Sequence, residues 1–296
     1  MNLFTFLKKE SIPYETRGKN TSRGFVNICC PDCLDEGFHG GIHIQKLYYN
    51  CWRCGWLPLY RVLGDITGLG ERAVKDMLNY SSEDLKEVKE RKERKEKQAI
   101  KEIQLPIGHR RLTKRHRDYL SSRNFDFRDI QQKWNIEGAG PLGKYKFRLL
   151  IPIYYGGTLV SYLGRDVTGK SNLRYKACEV ENESIHHKHI LYGLDHITER
   201  RCILVEGVTD VWRIGYGAVS SFGISWTKQQ ALLLAEKCDQ IFIVFDAEKE
   251  AQKQAEKLGV MLSGFGVEIE IINIGSGDPG EMAQKDADSL KKSLLG

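Results

Sequence analysis

The 296-residue chain lacks any apolar run approaching the roughly 20 residues that a membrane-spanning helix needs, so no membrane partner is expected. Its opening, MNLFTFLKKE, puts charge where the apolar core and cleavage site of a secretory leader should follow, and no export signal is expected either. It is also short of net charge. Its 45 Lys and Arg against 39 Asp and Glu leave +6, which by itself points to no partner. What the chain does have is an apolar content of 41%, enough for ordinary cores, and the length for two or three domains.

Cysteine is scarce outside one stretch. Cys178, Cys202 and Cys238 stand singly, which suits a reducing compartment better than a disulfide framework. The other five fall in CCPDCLDEGFHGGIHIQKLYYNCWRC, residues 29–54. Cys30-x-x-Cys33 and Cys51-x-x-Cys54 are two turns that each aim a pair of thiolates at one ion, and zinc takes four such ligands tetrahedrally. The intervening residues alternate as strand, turn and strand. Cys29 is the surplus thiol. His39 and His43 are possible substitutes, although a ribbon histidine is more often a surface or nucleic-acid contact, and disulfides are the alternative to a metal. One structural Zn²⁺ is the expectation.

Charge is distributed unevenly. Residues 104–176 carry 15 Lys and Arg against 5 Asp and Glu, whereas residues 177–296 carry 12 against 19. A basic middle beside an acidic end suits a protein that holds a polyanion with one part and a divalent metal with the other. The same composition shifts divide the chain into a zinc ribbon over 1–80, a linker over 81–103, a basic part over 104–198 and an α/β part over 199–296. The phrase WLPLYRVLGDITGLGERAVKDML reads as helix, turn and helix. It has the look of a DNA-binding helical hairpin, but a single copy favours helices that pack on the zinc domain. The linker is nearly all charge, with favourable Glu87–Arg91 and Glu93–Lys97 spacings, and is expected as a solvated helix.

HRRLTKRHRDYLSSRNFD predicts a basic amphipathic helix with Leu112, Tyr119 and Leu120 on its apolar side. FRLLIPIYYGGTLVSYLGRD predicts two strands joined at Gly156-Gly157. Around them gather Lys144, Lys146, Arg148, Arg165, Arg174 and Lys176, interleaved with Tyr145, Tyr154, Tyr162 and Tyr175. Cations for phosphates and rings for bases are what a single-stranded track requires; the alternative is a solvated strand face.

From residue 199 strand and helix alternate, as in a parallel α/β sheet, whose sites lie beyond the carboxyl ends of the strands. RCILVE ends at Glu206, with Asp210 one turn into the next helix. QIFIVFD ends at Asp246, with Glu248 two residues on, and Asp278 follows the strand VEIEIINI. One such aspartate is commonly a helix cap. Three strand ends together suggest an oxygen cage for Mg²⁺ or Mn²⁺.

The Glu206-Gly207-x-x-Asp210 and Asp246-x-Glu248 signatures resemble the Toprim domain of primases, topoisomerases and some nucleases. Over nearly its full length the chain resembles the DnaG-type primases of bacteria and phages: two metal knuckles, then the FRLLIPIYYGGTLVSYLGRD, RYKACE and HKHILYGL phrases, then ILVEGVTDVWRIGYGAVSSFGISWTKQQ as the Toprim opening. The implied fold is multidomain α/β, with an N-terminal zinc ribbon, a charged helical linker, a mixed α+β basic subdomain and a C-terminal Toprim domain on a parallel sheet.

The resemblance implies a DNA primase, a nucleotidyltransferase that makes short RNA primers on single-stranded DNA. Glu206, Asp246 and Glu248 would hold catalytic metal, supported by Asp210 and Asp278. Lys146, Arg148, Arg165, Lys176 and Lys188 would steady phosphates, and the four-cysteine ribbon would read the template. Ribonucleoside triphosphates and a separately encoded helicase are the implied partners, and the cytoplasm of a bacterial cell, with a phage or mobile element as the source, the implied setting. The family usually has Asp-x-Asp where this chain has Asp246-x-Glu248, which puts metal spacing in doubt. A Toprim nuclease and a non-catalytic zinc and Toprim DNA-binding protein are the rival readings.

Overall fold

The structure, a computed structural model, describes residues 2–34, 36–80 and 100–296. The chain forms two compact units that divide between residues 99 and 100. The charged helix expected over 81–103 lies, as far as residue 99, outside the described residues.

The first unit is an antiparallel sheet whose strands follow chain order: β1 (Tyr14–Glu15), β2 (Phe25–Ile28), β3 (Gly40–His43), β4 (Tyr49–Cys51) and β5 (Gly55–Leu57). Helix α1 (Leu3–Lys9) precedes it, started by Asn2, whose side chain accepts the Thr5 N–H at 2.8 Å. Helix α2 (Leu59–Thr67) stops at Gly68, where φ of 72° suits a residue without Cβ, and α3 (Glu71–Met77) follows. Leu59, Val62, Leu63 and Val74 of these helices join Phe6, Leu7, Val26, Ile28, Ile42 and Tyr49 in one core. Each such side chain contributes about 1.5–3 kcal/mol on burial, so the helix pair serves packing. Gly40 pairs with Cys51 across the sheet, and a Cβ there would run into the Tyr49 ring; the HGG phrase is a packing requirement.

The second unit joins two sheets. One is antiparallel, in the order β10-β9-β8-β7-β6: β6 (His109–Arg110), β7 (Glu137–Ala139), β8 (Arg148–Tyr155), β9 (Thr158–Asp166) and β10 (Tyr175–Ala177). Helices α4 (Lys114–Ser122) and α5 (Phe127–Trp134) lie between β6 and β7 in sequence. The β8–β9 hairpin turns at Gly156 (φ 59°) and Gly157 (φ 77°), two positive values that only glycine adopts cheaply. The Asp195 carboxylate accepts both of their N–H groups, at 2.9 and 2.8 Å.

The other sheet is parallel, in the order β12-β11-β13-β14: β11 (Arg201–Val205), β12 (Ala218–Ser220), β13 (Gln240–Ile243) and β14 (Glu268–Ile271). Helices α6 (Val208–Ile214), α7 (Lys228–Lys237), α8 (Lys249–Gly264) and α9 (Gln284–Leu295) complete it. Thr227 and Gln230 form a reciprocal cap at the start of α7. Leu149, Ile151 and Val160 of the antiparallel sheet share one core with Ile203, Val205 and Phe242 of the parallel one and Val211 of α6. The stretches 104–198 and 199–296 are therefore built on common packing, which fixes the basic strands relative to the acidic strand ends.

Candidate metal and catalytic sites

The register of the first unit folds its two knuckles onto each other. The sulfurs of Cys30, Cys33, Cys51 and Cys54 all lie within 4.8 Å of one another and are buried. Cys30 and Cys54 are 3.8 Å apart, as are Cys33 and Cys51. A disulfide would need about 2.05 Å, so these are four convergent thiols, a donor set that fits structural zinc. The Arg53 N–H points at the Cys51 sulfur from 3.4 Å, as donors around a thiolate do. Hydrogen bonds from its neighbours pull the Cys30 thiol down, while those same bonds push Cys33 and Cys54 up. Cys29, His39 and His43 lie outside the cluster. The His39 ring stands 4.5 Å from Trp52, and His43 Nδ1 accepts the N–H groups of Gln45 and Lys46.

At the carboxyl ends of the parallel strands the acids gather as the alternation predicted. Glu206 follows β11 and is half-buried; its Oε1 accepts the Asp246 N–H at 3.0 Å, which links two strand ends. Asp210 is buried in the first turn of α6, with Oδ2 accepting the Gly207 N–H at 2.7 Å. Asp246 follows β13, and the exposed Glu248 precedes α8. Asp278 opens the short 3₁₀ turn Pro279–Glu281. A Cβ on Gly280 would sit 2.7 Å from Asp210 Oδ1 and 3.0 Å from Asp278 Oδ1, so this glycine lets two carboxylates approach.

Electrostatics mark the group. Burial, then the charges of Asp278, Asp246 and Glu206, pushes Asp210 up to about 7. Burial, then Glu206, Asp278, Glu248 and Glu281, pushes Asp246 up to about 7 as well. Burial also raises Glu206, with Glu248 and Asp278 adding to it. Asp246 Oδ1 and Asp278 Oδ1 are both buried with no hydrogen-bond partner. Clustered anions with orphaned oxygens are stabilised by a hard cation. Among the described residues these oxygens do not close to within 4.8 Å as the thiols do.

The predicted cations divide into two kinds. Lys146 and Lys176 line a cleft of about 740 Å³ together with Arg115, Lys144, Arg148 and Lys170. Arg148 reaches that cleft but is buried. Its guanidinium donates to the carbonyls of Gly164 (2.9 Å) and Leu173 (3.0 Å) and to Ser171 Oγ (2.7 Å), which shapes the cleft wall. Arg165 is buried between the Tyr119 and Tyr175 rings, 5.6 and 4.6 Å from their centres. Lys188 lies away from the cleft, and its ammonium donates to the carbonyls of Ser221, Phe222 and Ser225 at 2.9, 3.1 and 2.8 Å. It clamps the loop after β12.

The sequence names Glu281 in the Asp278-Pro279-Gly280-Glu281 phrase without a separate role, and leaves Arg115 and Lys170 unsingled within the basic stretch; Arg213 it misses. Arg115 belongs to the basic helix. Lys170 carries no local signal. Arg213 is fully buried and donates to the carbonyls of Gly280, Arg123 and Asn124, tying the Asp278 turn to the end of α4. On the first unit, Phe25, Asn27, His39, Tyr48, Asn50 and Trp52 line a groove of about 340 Å³, and the Trp52 ring is largely exposed.

No protein-family profile matches the chain. Curated DNA primases do. The one from Borreliella burgdorferi is 26% identical over 190 residues, covering 60% of this chain and 36% of the relative. The one from Clostridium acetobutylicum is 29% identical over 153 residues, 48% of this chain and 25% of the relative. The chain thus spans about a third or less of the length of these relatives. Among solved structures, a DnaG catalytic core superposes with a TM-score of 0.52 at 21% identity, covering 62% of this chain and 72% of that one. The DnaG primase catalytic domain bound to single-stranded DNA gives 0.54 at 19%, with 62% and 71% covered. The RNA polymerase domain of the Mycobacterium tuberculosis primase gives 0.53 at 18%, with 62% and 77% covered. The likeness in sequence is to DNA primases, and the fold is that of the DnaG catalytic core.

Proposed function

We propose that this relative of the DnaG-type primases is itself a DNA primase, which makes short RNA primers on single-stranded DNA by metal-dependent ribonucleotidyl transfer. The observation that carries the reading is the set of carboxylates at parallel strand ends, with buried Asp246 and Asp278 oxygens left unpaired, on the same core as a cation-lined cleft. Glu206, Asp246 and Glu248 hold Mg²⁺ or Mn²⁺ in this account, with Asp210 and Asp278 behind them. Such an ion, when bound, makes an attacking 3′-hydroxyl more acidic and neutralises charge on a triphosphate.

The chain's own residues do the positioning. Lys146 and Lys176 hold template phosphates along the cleft, and Arg148 keeps its wall in place. Arg165 of β9 stacks its guanidinium over the Tyr175 ring of β10, 4.6 Å from the ring centre, and stiffens that edge of the basic sheet. The zinc ribbon offers Trp52, Tyr48 and Phe25 as stacking surfaces beside the amides of Asn27 and Asn50, the means to read unpaired bases. Ribonucleoside triphosphates are the substrates and a separate helicase the partner, in the cytoplasm of a bacterial cell.

The test is incubation of single-stranded DNA with labelled ribonucleotides and Mg²⁺ or Mn²⁺. Short RNA products support the proposal. Cutting of the DNA without synthesis would favour a Toprim nuclease, and neither activity would leave a DNA-binding protein.

A further inference from the structure

The stretch from Glu183 to His187, which runs into the HKHILYGL phrase, holds a second cluster of metal-ligating side chains. Glu183, His186 and His187 present three ligand atoms within 4.8 Å of one another. His186 Nε2 lies 3.6 Å from Glu183 Oε1, and His187 Nδ1 lies 3.7 Å from Glu183 Oε2. Both separations are too long for hydrogen bonds. They are close to the edge of a tetrahedron of ligands with bonds of about 2.1 Å, roughly 3.4 Å.

Burial makes this arrangement costly as it stands. The Glu183 side chain is 2% exposed, and Oε1 has no hydrogen-bond partner. His187 Nδ1 is likewise buried without one. A buried carboxylate oxygen and a buried imidazole nitrogen of the same small cluster, each without a hydrogen-bond partner, call for a further body among them. The two histidines are 16% and 15% exposed, which leaves an edge by which a small ion can enter.

We infer that Glu183, His186 and His187 form a second metal site, a two-histidine, one-carboxylate set for a borderline divalent cation, zinc foremost. Imidazole and carboxylate are borderline and hard donors, and three protein ligands leave one position open. Supporting contacts are in place. Ser161 Oγ of β9 donates to Glu183 Oε2 at 2.7 Å, which orients the carboxylate, and the Phe222 ring closes on His187 at 5.6 Å. His186 Nδ1 accepts the Lys188 N–H at 3.2 Å, which puts the ring proton on Nε2 in the metal-free protein. On metal uptake that proton moves to Nδ1, the Lys188 contact opens, and the Nε2 lone pair goes to the ion.

The site would staple β9 to the segment leading into Lys188, and through the Lys188 clamp to the loop after β12. It is independent of the four-cysteine cluster and of the acidic strand ends.

The experiment uses the full chain, loaded with Zn²⁺, passed through gel filtration in excess Mg²⁺, which takes the acidic strand ends, and analysed for bound zinc. Wild-type protein should carry two zinc ions, and Glu183→Gln and His187→Gln one each. Cobalt replacement should show a thiolate charge-transfer band unchanged by either variant, together with weaker visible bands that both variants lose. Added Zn²⁺ should raise the unfolding temperature of wild-type protein and leave that of His187→Gln unmoved, a readout that a purely structural loss would not give. One zinc per wild-type chain, or two in both variants, would overturn the inference.

Discussion

Replacing Lys188 by methionine separates two roles for a residue that the sequence assigned to phosphate. In the structure its ammonium has three carbonyl partners within 3.1 Å, all in the loop after β12. Hydrogen bonds to a charged group contribute about 1.5–3 kcal/mol each, but these three share one ammonium and are only partly buried. The loss should therefore be about 2–4 kcal/mol rather than their sum. For a folded unit of this size that lowers the unfolding midpoint by roughly 5–15 °C. Tryptophan fluorescence on heating reads the midpoint, and a salt series of single-stranded DNA binding is run beside it. A phosphate contact would behave in the opposite way, with stability unchanged and the salt slope shallower by roughly 0.7. An unmoved midpoint would refute the clamp.

Three further outcomes follow from the same geometry. Cys51→Ser should lose the ribbon zinc and unfold the first unit, since structural zinc supplies about 10–16 kcal/mol of apparent binding energy in small peptides, whereas Cys29→Ser should keep it; metal analysis with circular dichroism checks both. Asp210 and Asp246 titrate near 7 when folded against an ordinary 3.8, so the native state binds more protons between those values. Stability without divalent metal should then fall as pH rises from about 4 to about 7, and Asp246→Asn should flatten that fall in urea unfolding; a rise across the window would contradict it. Lys176→Ala should weaken single-stranded DNA binding and flatten its salt dependence, and affinity that does not change with salt would make the cleft merely a solvated face.

Much of the fold was legible because its signals are local. Gly156-Gly157 announced a hairpin, and both glycines do adopt positive φ. The apolar runs before Glu206 and Asp246 announced buried parallel strands, and the acids stand at their ends. The knuckle spacing announced four convergent thiols. What was not legible depends on distant partners. Arg148 and Lys188 read as surface cations because nothing nearby reveals carbonyls 16 to 37 residues away that take up their donors. Arg213 was silent for the same reason, its partners lying 67 to 90 residues off. Glu183, His186 and His187 were not singled out, because only folding brings Ser161 to the glutamate and the glutamate to both rings.

The most direct measurement is primer synthesis by Glu206→Gln, with single-stranded DNA affinity and zinc content recorded on the same protein. The substitution keeps the side chain's shape and its acceptor for the Asp246 N–H, and removes one negative charge at the joined strand ends. The account predicts that synthesis is abolished while DNA binding and the ribbon zinc stay near wild-type, and that Glu248→Asp remains active. Full ribonucleotide polymerisation by Glu206→Gln would contradict it.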